Sequence, residues 1–283
     1  MFERLRAGWR LARSVRKAVS RDRGLFIYPV FSGLVSFAVF AIIFGTLLLS
    51  VPVSSGNIDV IIFAAIVLVY ILTGFFSTLI LLALLIAFRA SVSGSPIWFR
   101  KALSEAWGYR KQAMEWSLFY TVVIMLLRLI ESRFRGVGQM VIGTMGAFAI
   151  AVATFFAVPA ILDYKCTPIE AVQHSVSTIR RNFGETFGGV AYVDLYTICI
   201  VLAGFAAFIA GIVLISFLPA LAAVSIIILG AAVIAFGLIL NYTYLNVLKL
   251  ILFDYVGGKG LPAGFNPDDI NSAVKKRGSG NII

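Results

Sequence analysis

The chain has 283 residues, 60% of them hydrophobic and only 13% charged, with 24 Lys and Arg against 13 Asp and Glu for a net charge of +11. Soluble domains hold about a quarter charged residues, so this composition excludes an ordinary soluble protein and leaves a membrane protein. The length fits one helical bundle with short connections and no further soluble domain, and the positive excess is a matter of topology rather than of nucleic-acid binding.

The chain opens on a basic segment. Residues 1 to 28 hold Arg4, Arg6, Arg10, Arg13, Arg16, Lys17, Arg21 and Arg23 against Glu3 and Asp22, a balance of 8 − 2 = +6. Such a cluster stays on the cytoplasmic side. Phe2, Leu5, Trp9 and Ala12 fall on one face of a helix while Arg6, Arg10, Arg13 and Lys17 fall on another, which predicts an amphipathic cytoplasmic helix. The first apolar stretch, Leu25 to Ser50, follows without a small-residue cleavage site, and reads as a retained span rather than a signal peptide.

Five more apolar stretches succeed it: Ile58 to Phe88, Trp116 to Ile130, Val137 to Leu162, Phe187 to Phe217 and Ala220 to Phe253. Most reach the ~20 residues that a helix needs to cross ~30 Å of hydrocarbon. In lipid the backbone must satisfy its own hydrogen bonds, and unbroken apolar runs rather than alternating ten-residue segments select helices over a barrel. The expected fold is therefore all-α: a polytopic bundle of six spans, N-in and C-in, occupying residues 1 to 256. The short third span reads as a tilted or partly interfacial helix, and the second and sixth, longer than a crossing, should tilt or project beyond the hydrocarbon.

Basic residues crowd the connections on one side. Between the second and third spans, Ser95-Pro96-Ile97 reads as a helix start, with Phe99, Leu103, Ala106 and Trp107 as its apolar stripe and Arg100 and Lys101 opposite. Arg128, Arg133 and Arg135 depart from the asymmetry, lying at the outer end of the third span. Arg128 and Glu131, three apart, are placed to satisfy each other. In the fourth span Gly143, Ala147 and Ala151 repeat small residues at every fourth position, and Pro159 near its inner end predicts a kink. Thr167-Pro168-Ile169-Glu170 is a capping-box pattern that starts a third cytoplasmic helix, with Ile169, Val172, Val176 and Ile179 at helical spacing and Arg180 and Arg181 at its end. The organisation reads as three helix-plus-hairpin units, 1–90, 95–162 and 167–256, followed by a polar cytoplasmic tail at 257–283, disordered in part beyond Asn271.

The fifth and sixth spans hold the polar residues that sit deepest. Asp194 lies two turns inside the fifth, and Lys249 near the cytoplasmic end of the sixth, approached by Asn241, Tyr242, Tyr244 and Asn246. In an antiparallel pair Asp194 and Lys249 reach similar depth, which predicts either a structural ion pair or a polar path open to the cytoplasm. Ala203, Ala207 and Gly211 form a small-residue stripe on the fifth span.

Enzyme chemistry lacks its parts. A single histidine, His174, precludes a multi-histidine metal site in one protomer, and there is no nucleophile elbow, metalloprotease helix motif or phosphate-binding glycine loop. No cofactor and no metal is expected. Cys166 and Cys199 read as reduced, structural thiols. The basic helices carrying Arg6, Arg10, Arg13, Lys17, Arg100, Lys101, Arg180 and Arg181 either orient the bundle in the headgroup region or recruit anionic lipid headgroups or an acidic partner. Expected partners are the lipid bilayer, anionic headgroups, and a membrane-protein partner or a second copy of the chain. A non-enzymatic scaffold or partner subunit is the leading functional expectation; a small channel or carrier for ions, solutes or lipids is the alternative.

Three groups of residues carry a family resemblance: Trp9-Arg10 with Arg21-Asp22-Arg23-Gly24-Leu25-Phe26-Ile27-Tyr28-Pro29 and Ser32-Gly33; Val158 to Asp163 leading into Thr167 to Ala171 and Ser175; and Tyr255, Gly257, Pro262 and Phe265. Together they resemble an uncharacterised family of prokaryotic, often archaeal, six-span membrane proteins, and distantly the membrane domain attached to some bacterial glycerophosphodiester phosphodiesterases. The resemblance covers nearly the whole chain. It implies the fold, a plasma-membrane location and a loose association with lipid, and brings no catalytic residues.

Overall fold

The structure is a computed structural model that describes residues 2–50, 58–181, 183–217 and 219–259, without the side chains of residues 2–8, 11, 50, 181 and 183–187. Most of the predicted tail, from 260 onward, and the side chains of Arg6 and Arg181 therefore lie outside the described residues. In chain order the helices are α1 (Phe2–Arg21), α2 (Ile27–Ser50), α3 (Ile58–Val92), α4 (Phe99–Trp107), α5 (Arg110–Glu131), α6 (Val137–Ala153), α7 (Ala157–Tyr164), α8 (Pro168–Arg181), α9 (Phe183–Leu214) and α10 (Ala220–Val256), with a 3-10 turn at Arg23–Phe26 before α2. There is no strand among the described residues.

Among the described residues six segments are long and apolar enough to cross a membrane: Arg23–Leu49, Ile58–Val92, Arg110–Glu131, Val137–Tyr164, Gly188–Leu214 and Ala220–Val256. The third is longer than hydropathy suggests. Its helix begins at Arg110 rather than near Trp116 and runs for 22 residues, because helical backbone continues through the polar Arg110, Lys111 and Gln112. At 1.5 Å per residue that is about 33 Å, a full hydrocarbon crossing.

Contacts divide the chain into two units, one formed by residues 1–26 and 182–283 and the other by residues 27–181. In the first, α9 and α10 form an antiparallel hairpin, and α1 packs on α9. The hairpin is drawn tight by glycines: a Cβ on Gly230 would meet the Phe208 backbone N at 2.5 Å, and one on Gly204 would meet that of Ile234 at 2.8 Å. Gly211 and Gly237, each seven residues further on, sit against Ile227 and Val201 in the same seam. Of the predicted stripe Ala203, Ala207 and Gly211, Gly211 lies in it and Ala203 does not. Ala203 is exposed and Gly204 takes its place, because the seam follows the seven-residue spacing of the glycines. The buried core of this unit gathers where α1 reaches the hairpin, with Ala12, Val15 and Val19 of α1 at 0% exposure and Val247, Leu248 and Ile251 of α10 closed beside them.

In the second unit α3 is central, packed by α2, α4 and α5, while α7 packs on α8. Its core lies at one end of α3, from Leu79 to Phe88, together with Ala102 and Ala106 of α4, Ala113 of α5 and Ala160 and Ile161 of α7. The other halves of these helices present large apolar side chains outward, Phe37, Leu48, Val60 and Leu129 among them, as hydrocarbon solvent permits. In α6 no residue is buried, and Ala147 and Ala151 are exposed, so they do not form a packed stripe; the close approaches of α5 fall at Gly143, by Glu131, and at Gly146, by Leu127.

The fourth span is broken. Helix α6 stops at Ala153 and α7 starts at Ala157, two residues before Pro159. Proline cannot donate a backbone hydrogen bond and its ring crowds the carbonyl four residues back, so the helix opens in the preceding turn. The exposed donor is answered from α8: Ser175 Oγ accepts from the Phe156 N–H at 2.9 Å, with both residues at 0% exposure.

The short connecting helices α4 and α8 face the protein differently from their apolar stripes. Helix α4 starts at Phe99, after an uncapped Trp98, and not at Ser95-Pro96. It buries Ala102 and Ala106 and leaves Trp107 half-exposed. Helix α8 starts at Pro168 as expected, with the Thr167 N–H donating to Glu170 Oε2 at 2.8 Å. It buries Ala171, Ser175, Thr178 and Ile179 and turns Ile169 outward. Small residues allow a close helix approach, and next to lipid a large side chain loses little by facing out.

Candidate functional site

In the first unit the polar residues of α9 and α10 gather into two groups. Asn241 donates through Nδ2 to Asp194 Oδ1 at 2.9 Å and to Thr197 Oγ1 at 2.9 Å, while Thr197 itself donates to the Val193 carbonyl at 2.9 Å. Asp194 also exerts its charge on Lys249, so the two predicted partners lie within electrostatic reach. The carboxylate is on the exposed face of α9 and Asn241 is its hydrogen-bonding neighbour. An uncharged amide that bridges a carboxylate and a hydroxyl holds that carboxylate in place without demanding a full buried ion pair.

The second group is aromatic. Arg16 of α1 places its guanidinium 4.7 Å from the Tyr196 ring centroid and 5.8 Å from that of Tyr192, and Trp9 meets Tyr192 edge-on at 4.7 Å. Tyr244 lies 3.3 Å from Ser20 Oγ through its hydroxyl and packs against Phe26 and Tyr196. Next to this cluster an open cleft of about 510 Å³ runs along α9, lined by Trp9, Tyr196, Cys199 and Ala203, with Val233 from α10. Arg16 was not among the residues singled out for headgroup contact. Its signal was the seven-residue spacing from Trp9, matched on α9 by Tyr192 and Tyr196 four apart.

The remaining candidates separate. Asn246 donates back to the Tyr242 carbonyl at 2.8 Å, within its own helix, and is buried. Tyr242 is half-buried. Arg10, Arg13 and Lys17 are exposed or nearly so on α1, and in the second unit Arg100, Lys101 and Arg180 are exposed on α4 and α8.

The second unit holds a polar junction that hydropathy did not mark. Arg89 Nη1, at the end of α3, lies 2.7 Å from Asp163 Oδ1, at the end of α7, where the aspartate side chain is only 4% exposed. Tyr109 donates its hydroxyl to the Leu162 carbonyl at 3.2 Å, and Lys165 sits 5.2 Å above the Tyr109 ring. Burial raises the Tyr109 pKa above its ordinary value; Arg89 counteracts this, and Asp163 and Glu105 add to it. Burial also raises the Cys166 thiol pKa, which makes it a weak nucleophile. His174 stacks on Tyr164 at 4.5 Å, and among the described residues no cluster of His, Cys, Asp and Glu is arranged to hold a metal ion.

The chain matches no curated protein and no solved structure. Residues 59–260, well over half of its length, match the sequence profile of the Family of unknown function (DUF6159), and the chain belongs to that family.

Proposed function

We propose that this protein is a non-enzymatic membrane component that holds anionic lipid headgroups on its basic helices and through them organises lipid or a partner membrane protein. The observation that carries the reading is the division of labour on α1. Its apolar side is closed against α9, with Ala12, Val15 and Val19 fully buried, while Arg10, Arg13 and Lys17 stay outward. Arg16 rests on the tyrosines at the mouth of the apolar cleft. A helix anchored in this way presents cations at a fixed height, each contributing about 1 kcal/mol toward an anionic surface. The setting is the plasma membrane of a prokaryote with both termini cytoplasmic, as the charge asymmetry of the connections supports.

The test is lipid retention by the full chain in nanodiscs that mix phosphatidylglycerol with phosphatidylcholine, read by native mass spectrometry. The protein should retain phosphatidylglycerol preferentially, and Arg13→Gln with Lys17→Gln should remove most of the preference without changing the unfolding midpoint. Equal retention of both lipids by the unaltered chain would overturn the reading.

A carrier or channel is the second reading, favoured by the Asp194, Asn241 and Thr197 group inside the fifth and sixth spans. Liposome flux of ions and small solutes that Asp194→Asn abolishes would establish it in place of the scaffold.

A further inference from the structure

A different part of the molecule carries a separate site. Over the middle of α3, between α2 and α5 of the second unit, lies an open cleft of about 540 Å³, within the range of roughly 300 to 1,000 Å³ typical of ligand pockets. It lies wholly within segments apolar enough to span the membrane, yet its walls are hydroxyl-bearing: Ser36 from α2, Tyr70, Thr73 and Ser77 from α3, and Ser117 and Tyr120 from α5. None of its lining residues is ionisable as an acid or base near neutral pH, and Phe40 and Trp116 supply ring surface beside the hydroxyls.

The direction of the hydrogen bonds decides what this cleft can bind. A hydroxyl has one proton to donate and two lone pairs to accept with. Thr73 donates to the Val69 carbonyl, Thr78 to the Gly74 carbonyl at 2.8 Å and Ser117 to the Ile71 carbonyl. Ser32 donates to Ser77 Oγ at 3.3 Å, and Ser36 Oγ lies 3.5 Å from the same atom. The protons of Thr73, Thr78 and Ser117 are thus committed to backbone, and what these groups offer the cleft is acceptor lone pairs. The approach of α5 is specific to this place: a Cβ on Gly74 would meet Ser117 Oγ at 2.7 Å.

The Tyr70 and Tyr120 hydroxyls on the same walls can also donate, so an uncharged cleft of this kind at this depth selects a ligand that both donates and accepts and brings no charge. Phospholipid headgroups remain at the interface, and an ion would lack a counter-charge. We propose that the cleft binds a hydroxyl group of an uncharged alcohol, with the C–H surface next to that hydroxyl against the rings of Phe40 and Trp116. Phe40, Tyr70 and Tyr120 are 49%, 45% and 38% exposed, so the site opens sideways on this unit. The alcohol is either the free hydroxyl of a neutral lipid such as a diacylglycerol or a small polyol in solution.

The test is photolabelling of the full chain in phosphatidylcholine nanodiscs with a photoreactive diacylglycerol, set against a phosphatidylcholine that bears the same photoreactive chain. The diacylglycerol probe should label peptides of α3 and α5 selectively. Thr73→Val, which keeps the shape and removes the acceptor, should weaken labelling by about threefold to tenfold, the loss expected for one hydrogen bond. Ser77→Phe, which fills the space, should abolish it, with the unfolding midpoint of both variants showing that the chain remains folded. Competition by unlabelled diacylglycerol supports a lipid source and competition by glycerol a soluble one. Equal labelling by both probes, competition by neither alcohol, or indifference to Thr73→Val in a folded protein overturns the proposal.

Discussion

Ser175 is the residue on which the broken fourth span depends. Its hydroxyl meets the Phe156 N–H, a donor that the proline-induced break removes from the helical ladder in a fully buried place. Leaving a buried donor without a partner costs about 1 to 3 kcal/mol, so Ser175→Ala should lower stability by that amount in a denaturant titration of the detergent-solubilised protein. The Arg89 and Asp163 pair makes a second point at this scale. With the aspartate 4% exposed and the arginine 33% exposed, Arg89→Ala leaves a carboxylate that is shielded from water and has lost its nearest cation. The expected cost is about 3 kcal/mol, and Arg89→Met combined with Asp163→Leu should recover much of it in the same titration, because replacing both charges also removes the desolvation cost. Glu170 gives a pH dependence. Its bond from the Thr167 N–H favours the ionised form and lowers its pKa below the ordinary 4.5. The contribution of that bond is complete above the ordinary value and disappears as pH falls through the lower folded value. Hydrogen-exchange protection at the start of α8 should therefore hold at neutral pH and fall only in acid below that range, and Glu170→Gln should remove the acid transition.

At the scale of elements, close approach governs which helices pack. The α9 and α10 seam admits no side chain at Gly230, where a Cβ would meet the Phe208 N and Cα at 2.5 and 2.7 Å. Both atoms are backbone, so Gly230→Ala must spread the hairpin, a strain of about 1 to 3 kcal/mol. Gly45 in α2 has nothing within 4 Å of its Cβ position, and Gly45→Ala should be neutral or stabilising by up to about 1 kcal/mol through helix propensity. Unfolding midpoints of the two variants in the same detergent check the contrast. Small-residue spacing in the sequence announced a tight fifth span, and Gly211 is part of the seam. The spacing did not distinguish Ala203 from Gly204, because neighbouring residues on a helix are 100° apart and only the partner decides which side is covered. The same ambiguity displaced the faces of α4 and α8. A hydrophobic stripe indicates burial when water is the solvent; beside lipid, Ile169 is outward while Ala171 and Ser175 are inward. The capping pattern at Thr167 to Glu170, in contrast, was legible because its bonds are local. The Asn241 bridge to Asp194 and the Arg89 pair with Asp163 join residues far apart in sequence, and no local pattern marks them.

For the whole molecule, segment count follows from hydrocarbon thickness, and six apolar segments were legible from run length alone. Orientation rests on a different term, the distribution of Lys and Arg over the connections. The exception at the outer end of the third span is weaker than a residue count suggests. Arg128 is bonded to Glu131 at 2.9 Å, so part of the positive charge of that connection is answered by its own helix. Against the remainder stand the basic faces of α1, α4 and α8, and positive charge near span ends on the cytoplasmic side sets the insertion. A cysteine placed at Ser95, between α3 and α4, should then react with a membrane-impermeant maleimide only in inside-out vesicles, and one at Ser132, after α5, only in right-side-out cells. Both positions are exposed, whereas Cys166 has its reactivity depressed by burial, so Cys166→Ser with Cys199→Ser gives a silent background. Labelling of the two positions from the same side would remove the third crossing, and labelling of each from the opposite side would invert the bundle and take the basic helices away from the anionic cytoplasmic leaflet on which the proposed lipid-holding function depends.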